Sequence, residues 1–120
     1  MRQKYIPGDW VKYIGNNSLK YVQIWQVREN FLFLESGYGV VNFSEVEPIP
    51  LTYEMLEKNG WKWDGQDFVG ACLLYPEGNY FVFDAFRTKI KYVHQLQHLL
   101  FGLGIDFDFN LGNSKKGGEK

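Results

Sequence analysis

The pair of prolines in Pro48-Ile49-Pro50 constrains the fold of this chain more than any other feature. Proline fixes its own φ, offers no N–H, and turns the residue before it away from helical backbone. Before the pair, Gly39-Val40-Val41-Asn42-Phe43 reads as a strand, and Ser44-Glu45-Val46 as one tight turn before a last short strand at Glu47–Ile49. After it, Leu51-Thr52 starts a helix. Thr52 suits the N-cap, Glu54 puts negative charge in the first turn, and Gly60 suits the residue past the helix end. A strand-built half must therefore stop where a helix-bearing half begins, and the seam Glu47–Thr52 leaves no flexible linker.

Residues 8–50 read as a series of short strands. Gly8-Asp9 opens Trp10 to Ile14, Gly15-Asn16-Asn17-Ser18 supplies a turn, and Leu19 to Val27 alternates. Glu29-Asn30 breaks the pattern, Phe31 to Leu34 resumes it, and Ser36-Gly37 turns into Tyr38 to Phe43. Strands of this length and spacing predict a small, bent antiparallel barrel. The pattern, with its Gly-Asp-x-Val opening, resembles SH3-like barrels.

Past the first helix, Asp64-Gly65 signals a hairpin between Trp61-Lys62-Trp63 and Phe68. Val69 to Tyr75 and Asn79 to Phe86 read as strands joined by Pro76-Glu77-Gly78, and Thr88 onward as a third strand or the approach to a helix. From Tyr92 to Leu103 the period becomes helical, with Val93, Leu96, Leu100 and Leu103 on one face and Gly102 and Gly104 at the end. Ile105, Phe107, Phe109 and Leu111 then alternate with polar residues as a half-exposed strand does. The expected fold class is α+β: an SH3-like small β-barrel over 1–50, packed against a small antiparallel sheet with two helices over 51–111. A polar, Gly- and Lys-rich tail over 112–120 is expected to be disordered.

With 18% aromatic residues, a chain of 120 residues can build a core without disulfides or metal. Its lone cysteine, Cys72, lies among Ala71, Leu73 and Leu74, which predicts burial and suits a reducing cytoplasm. No segment has the length or apolarity of a membrane span or signal peptide. A net charge of −1 and scattered basic residues argue against a dedicated nucleic-acid binder.

Motifs for catalysis are missing: there is no phosphate loop, no nucleophile elbow and no Cys-x-x-Cys pair. His94 and His98 stand four apart on the second helix, a spacing that metal sites use. Gln95 occupies the position where a zinc protease needs a glutamate, and both histidines fall nearly opposite the Val93–Leu96–Leu100 stripe. They are expected to be an exposed or rim pair that hydrogen-bonds locally, without metal, and no cofactor is expected. The aromatic residues carry the better lead. Trp10, Tyr13, Tyr21, Trp25 and Tyr38 lie on strands that cannot bury both faces in so small a barrel, so they form either a docking groove or the junction with the second half. Phe101 falls on the polar side of its helix and suits a contact surface, including one between subunits.

Pro48-Ile49-Pro50-Leu51-Thr52 with Glu54-Met55-Leu56-Glu57-Lys58-Asn59-Gly60-Trp61, together with the run Ile90 to Leu100, resembles a group of uncharacterised small proteins. These are encoded by gut bacteria of the Bacteroides type and by their phages and mobile elements. The resemblance implies that genetic setting and no chemistry. The expected function is a non-catalytic protein-interaction module acting on a protein partner. The alternative is a nucleic-acid-binding accessory factor using the barrel aromatics with Lys12, Lys20 and Arg28.

Overall fold

The structure, a computed structural model, describes residues 4–15, 20–35 and 37–111. The turn expected at Asn16–Ser18, the turn residue Ser36 and the tail 112–120 lie outside the described residues. The fold is α+β, and the chain divides into two compact units at Ile49/Pro50.

The first unit is a five-stranded antiparallel half-barrel, as the strand spacing predicts. Its strands are β1 (Trp10–Tyr13), β2 (Lys20–Val27), β3 (Phe31–Leu34), β4 (Gly39–Asn42) and β5 (Val46–Glu47), in the order β4-β3-β2-β1-β5. Arg28 N–H donates to the Phe31 carbonyl at 2.9 Å, closing the tight β2–β3 turn over Glu29-Asn30. The turn before β5 is a 3-10 turn over Phe43–Glu45, in which Glu45 Oε1 accepts the Asn42 N–H at 2.8 Å. That pairing ends β4 and places β5 one residue earlier than the expected Glu47–Ile49. Alternate residues of each strand point inward: Val11, Val22, Ile24, Leu32, Leu34, Val41 and Val46 form one buried cluster.

In the second unit, α1 (Tyr53–Lys58) has the expected caps. Thr52 Oγ1 accepts the Met55 N–H at 3.1 Å, and Gly60 sits at φ +98°, where a β-carbon would be strained. The sheet that follows is antiparallel: β6 (Lys62–Trp63), β7 (Phe68–Val69), β8 (Leu73–Glu77), β9 (Tyr80–Phe83) and β10 (Thr88–Ile90), in the order β10-β9-β8-β7-β6. Asp64 Oδ1 accepts the N–H groups of Gln66 (2.9 Å) and Asp67 (2.7 Å) and shapes the β6–β7 turn. Those bonds hold the Asp64 carboxyl below its usual range. Tyr53 of α1 packs its ring on Phe68 and Phe81, at 5.0 and 5.7 Å between centroids, fixing the helix to one sheet face.

Three sequence expectations change here. Val69 to Tyr75 is two strands, because Gly70-Ala71-Cys72 turns around the Trp61 indole. That indole donates to the Cys72 carbonyl at 2.8 Å, and a β-carbon on Gly70 would fall within 2.6 Å of it. Pro76 and Glu77 belong to β8, and the turn is Gly78-Asn79. Proline is tolerated there because Pro76 pairs with Phe81 of β9 beyond the end of β7, where no ladder bond is lost.

The third change concerns residues 105–111, which pair with no strand among the described residues. Their alternation is real, since Phe109 and Leu111 are buried while Asp106, Asp108 and Asn110 are exposed. A single side chain takes the place of a neighbouring strand. Asn59 Nδ2 donates to the Asn110 carbonyl (2.7 Å), and Asn59 Oδ1 accepts the Asn110 N–H (2.6 Å). Asn59 Nδ2 also reaches the Met55 carbonyl at the end of α1 (2.8 Å). Asn59→Ala removes all three bonds and is expected to lower stability by about 1–3 kcal/mol. Chemical denaturation checks this, and an unchanged midpoint would show that the clamp holds nothing.

The helix α2 (Val93–Gly102) buries Val93, Leu96 and Leu100 as the periodicity predicts. Gln95 Oε1 accepts the N–H groups of Lys91 (2.8 Å) and Tyr92 (3.1 Å), capping the helix start. No helix of the described residues is long and apolar enough to cross a membrane.

Candidate interaction surface

The register of β2 on β3 generates the most distinctive surface of the first unit. Ile24 pairs with Leu34 but Gln26 pairs with Phe33, so Trp25 is the extra residue of a β-bulge. A bulge puts two consecutive side chains on one face, and here it aims both Trp25 and Gln26 outward while Ile24 and Val27 stay inside. Phe31 and Phe33 also face outward, since Leu32 and Leu34 between and beside them are buried. Val40 of β4 stands opposite Phe33.

The result is a patch of three rings and one branched aliphatic. Trp25 meets Phe33 edge-on at 6.0 Å, and Phe31 meets Phe33 at 5.6 Å. Trp25 is 59% exposed, Val40 56% and Phe31 37%. At the rim, Arg28 Nη2 donates to Gln26 Oε1 at 3.2 Å.

The aromatic residues singled out from the sequence separate by position. Trp10 and Tyr13 are buried, and Tyr13 packs against Tyr38 at 4.9 Å, so these two rings are architecture. Tyr21 and Tyr38 are half-buried. Trp25 alone of the five is well exposed. Phe101, in the second unit, is 76% exposed on α2. Phe31, Phe33 and Val40 escaped the sequence reading. The signal was present in Phe31-Leu32-Phe33-Leu34: all four residues are apolar, so one apolar pair had to face outward whichever pair filled the core.

Lys12, Lys20 and Arg28 do not gather. Lys20 and Arg28 sit at opposite ends of β2, about 26 Å apart at the strand rise. Lys12 stands opposite Glu47 in the β1–β5 pairing.

The histidine pair departs from expectation. His94 is 1% exposed rather than at the surface or rim; its ring neighbours are Tyr92 (6.0 Å, stacked) and His98 (5.5 Å, edge-on). His98 is half-buried. Among the described residues, no group of three or more His, Cys, Asp or Glu could hold a metal ion. Cys72 is half-buried rather than fully buried, and desolvation pushes its thiol up to about 11. A shallow, open depression of about 520 Å³ in the second unit is lined by Trp63, Gln66, Asp67, Leu73, Tyr75 and Pro76. Asp67 is the one carboxylate among its lining residues, and no Lys, Arg or His lines it.

No family model, no curated protein and no solved structure matches the chain.

Two expectations follow from these side groups. His94→Ala leaves a cavity and should cost about 2–4 kcal/mol, while His98→Ala should stay within about 1 kcal/mol; equal effects in thermal denaturation would contradict this burial. For Cys72, the folded thiol ionises later than the unfolded one. Its contribution to stability is therefore complete below about pH 9 and lost as pH rises towards 11. At pH 8–9 an alkylating reagent should label unfolded chain much faster than folded chain, as mass spectrometry of timed samples would show.

Proposed function

We propose that this protein is a non-catalytic interaction module that docks on another protein through the outer face of its half-barrel. One observation carries the reading: Trp25, Phe31, Phe33 and Val40 form a contiguous apolar patch on strands whose inner residues already complete a core. Exposed apolar patches of this kind mark contact surfaces, and aromatic residues dominate the energy of such contacts. The resemblance of the Pro48–Trp61 and Ile90–Leu100 segments supports an accessory role in a phage or mobile element, and the lone cysteine supports a cytoplasmic setting.

The nucleic-acid reading has weaker support. Stacking rings are present, but binding to a phosphate backbone needs converging positive charge. Here Lys20 and Arg28 diverge and Lys12 faces Glu47.

Affinity capture from a host of the resembling group, comparing the wild type with Trp25→Ala and Phe101→Ala, tests the proposal. Trp25→Ala should weaken capture of the partner by about 2 kcal/mol or more while barely moving the denaturation midpoint. Trp10→Ala should instead cost about 3–5 kcal/mol of stability through the cavity it leaves. Binding that survives Trp25→Ala, or capture of nucleic acid that disappears steeply with salt, would refute docking through this face.

A further inference from the structure

Among the described residues four strands form the edges of the two sheets, and three of them are protected against further pairing. β5 is two residues long, carries Glu47 and runs into Pro48. β6 is two residues long and carries Lys62. β10 carries Lys89 between Arg87 and Lys91, and the Lys91 carbonyl is already taken by the Leu51 N–H at 2.9 Å. Short length, charge, proline and cover are the usual means of blunting an edge.

β4 is the least protected of the four: it carries no charge and no proline, and the cover it has is the Glu45 carboxylate on the Asn42 N–H at one end. Its four residues Gly39-Val40-Val41-Asn42 are uncharged, and among the described residues it pairs only with β3. It also borders the patch, since Val40 lies opposite Phe33.

We infer that β4 is a strand-addition site that takes an extended peptide segment of a partner protein, with an uncharged centre of β-branched or aromatic residues and basic residues at its ends. The inference rests on the docking role proposed above and specifies the shape of the partner. Main-chain bonds to an open edge supply affinity in such complexes, and alternate side chains supply specificity. Every second residue of the added strand would extend the outer face beside Val40 and Phe33.

Two observations favour a peptide strand over a second copy of this chain. The first is area. Trp25, Phe31 and Val40 together expose roughly 300 Å², given the size of such side chains. A stable subunit interface needs about 800 Å² from each partner, whereas a short strand needs far less. The second is charge. Glu35 follows Leu34, the partner of Gly39 at one end of β4, and Glu45 holds the Asn42 N–H at the other. An antiparallel copy would set Glu35 of each chain near Glu45 of the other, acid against acid at both ends. A segment with Lys or Arg at its ends meets opposite charge instead.

The test is titration of the full chain, followed by backbone amide NMR, with a blocked synthetic peptide Lys-Val-Thr-Val-Thr-Val-Lys. Two controls accompany it: the same peptide methylated on its five central amide nitrogens, and a version with glutamate at both ends. Shifts centred on Gly39–Asn42, weakened about tenfold or more by N-methylation and by the terminal glutamates, are expected. Shifts centred on Trp25 and Phe33 that ignore N-methylation would overturn strand addition while leaving face docking intact. Shifts of Gly39–Asn42 that grow with protein concentration, without peptide, would overturn it in favour of self-pairing. No shift at about 1 mM peptide would overturn it as well, and the Trp25→Ala capture would then judge the docking role by itself.

Discussion

A strand has two faces and a half-barrel has one interior, and this constraint governs the first unit. Outside β1, where Trp10 and Val11 are both buried, the residues of its strands go to core or surface by their parity along the strand. Val11, Val22, Ile24, Leu32, Leu34, Val41 and Val46 take the interior, together with the rings of Tyr5 and Tyr13. Parity must then place Phe31, Phe33 and Val40 outside, against the usual preference of such residues. The bulge at Trp25 is the one point where parity is reset. By absorbing one residue it keeps Val27 inside while leaving Trp25 and Gln26 side by side on the outer face. The apolar patch is thus the complement of a completed core.

The second unit solves a different problem, that of a sheet with short outer strands. β6 and β7 have two residues each, too few to be stable as a hairpin alone. They are secured by an aromatic cluster, in which Tyr53 stacks on Trp63 and Phe68 bridges to Phe81. Trp61 does the same for the turn that follows them, through Cys72 above and Phe107 and Phe109 beside it. Rings, more than ladder bonds, hold this part of the sheet in register.

What could be read from the sequence was whatever local chemistry decides. Thr52, Gly60, the Asp64 turn and the 3-10 turn before β5 each rest on hydrogen bonds or dihedrals within a few residues. What could not be read depends on distant partners. The break at Gly70 exists because an indole nine residues earlier lies against it. His94 is the exception: its ring neighbours Tyr92 and His98 are only two and four residues away, yet helical angle alone placed it at the surface. The alternating run from Ile105 was a correct reading of faces and a wrong reading of pairing. The exposed patch was legible only in part: Trp25 was visible as an unaccommodated ring, but an all-apolar run such as Phe31 to Leu34 does not reveal which of its faces is inside.

Asn59 gives the molecule a chemical clock. It is followed by Gly60, whose lack of a side chain lets the backbone nitrogen, once its bond to the Glu57 carbonyl (3.2 Å) opens, attack the Asn59 amide carbon, form a succinimide and release ammonia. Hydrolysis of that ring yields an acidic residue in place of the amide. An ionised carboxylate only accepts hydrogen bonds, so it would face the carbonyls of Met55 and Asn110 with nothing to donate. The same residue that stands in for a strand is therefore the one whose ageing would remove the two bonds it donates, to Met55 and to Asn110, with no protease involved.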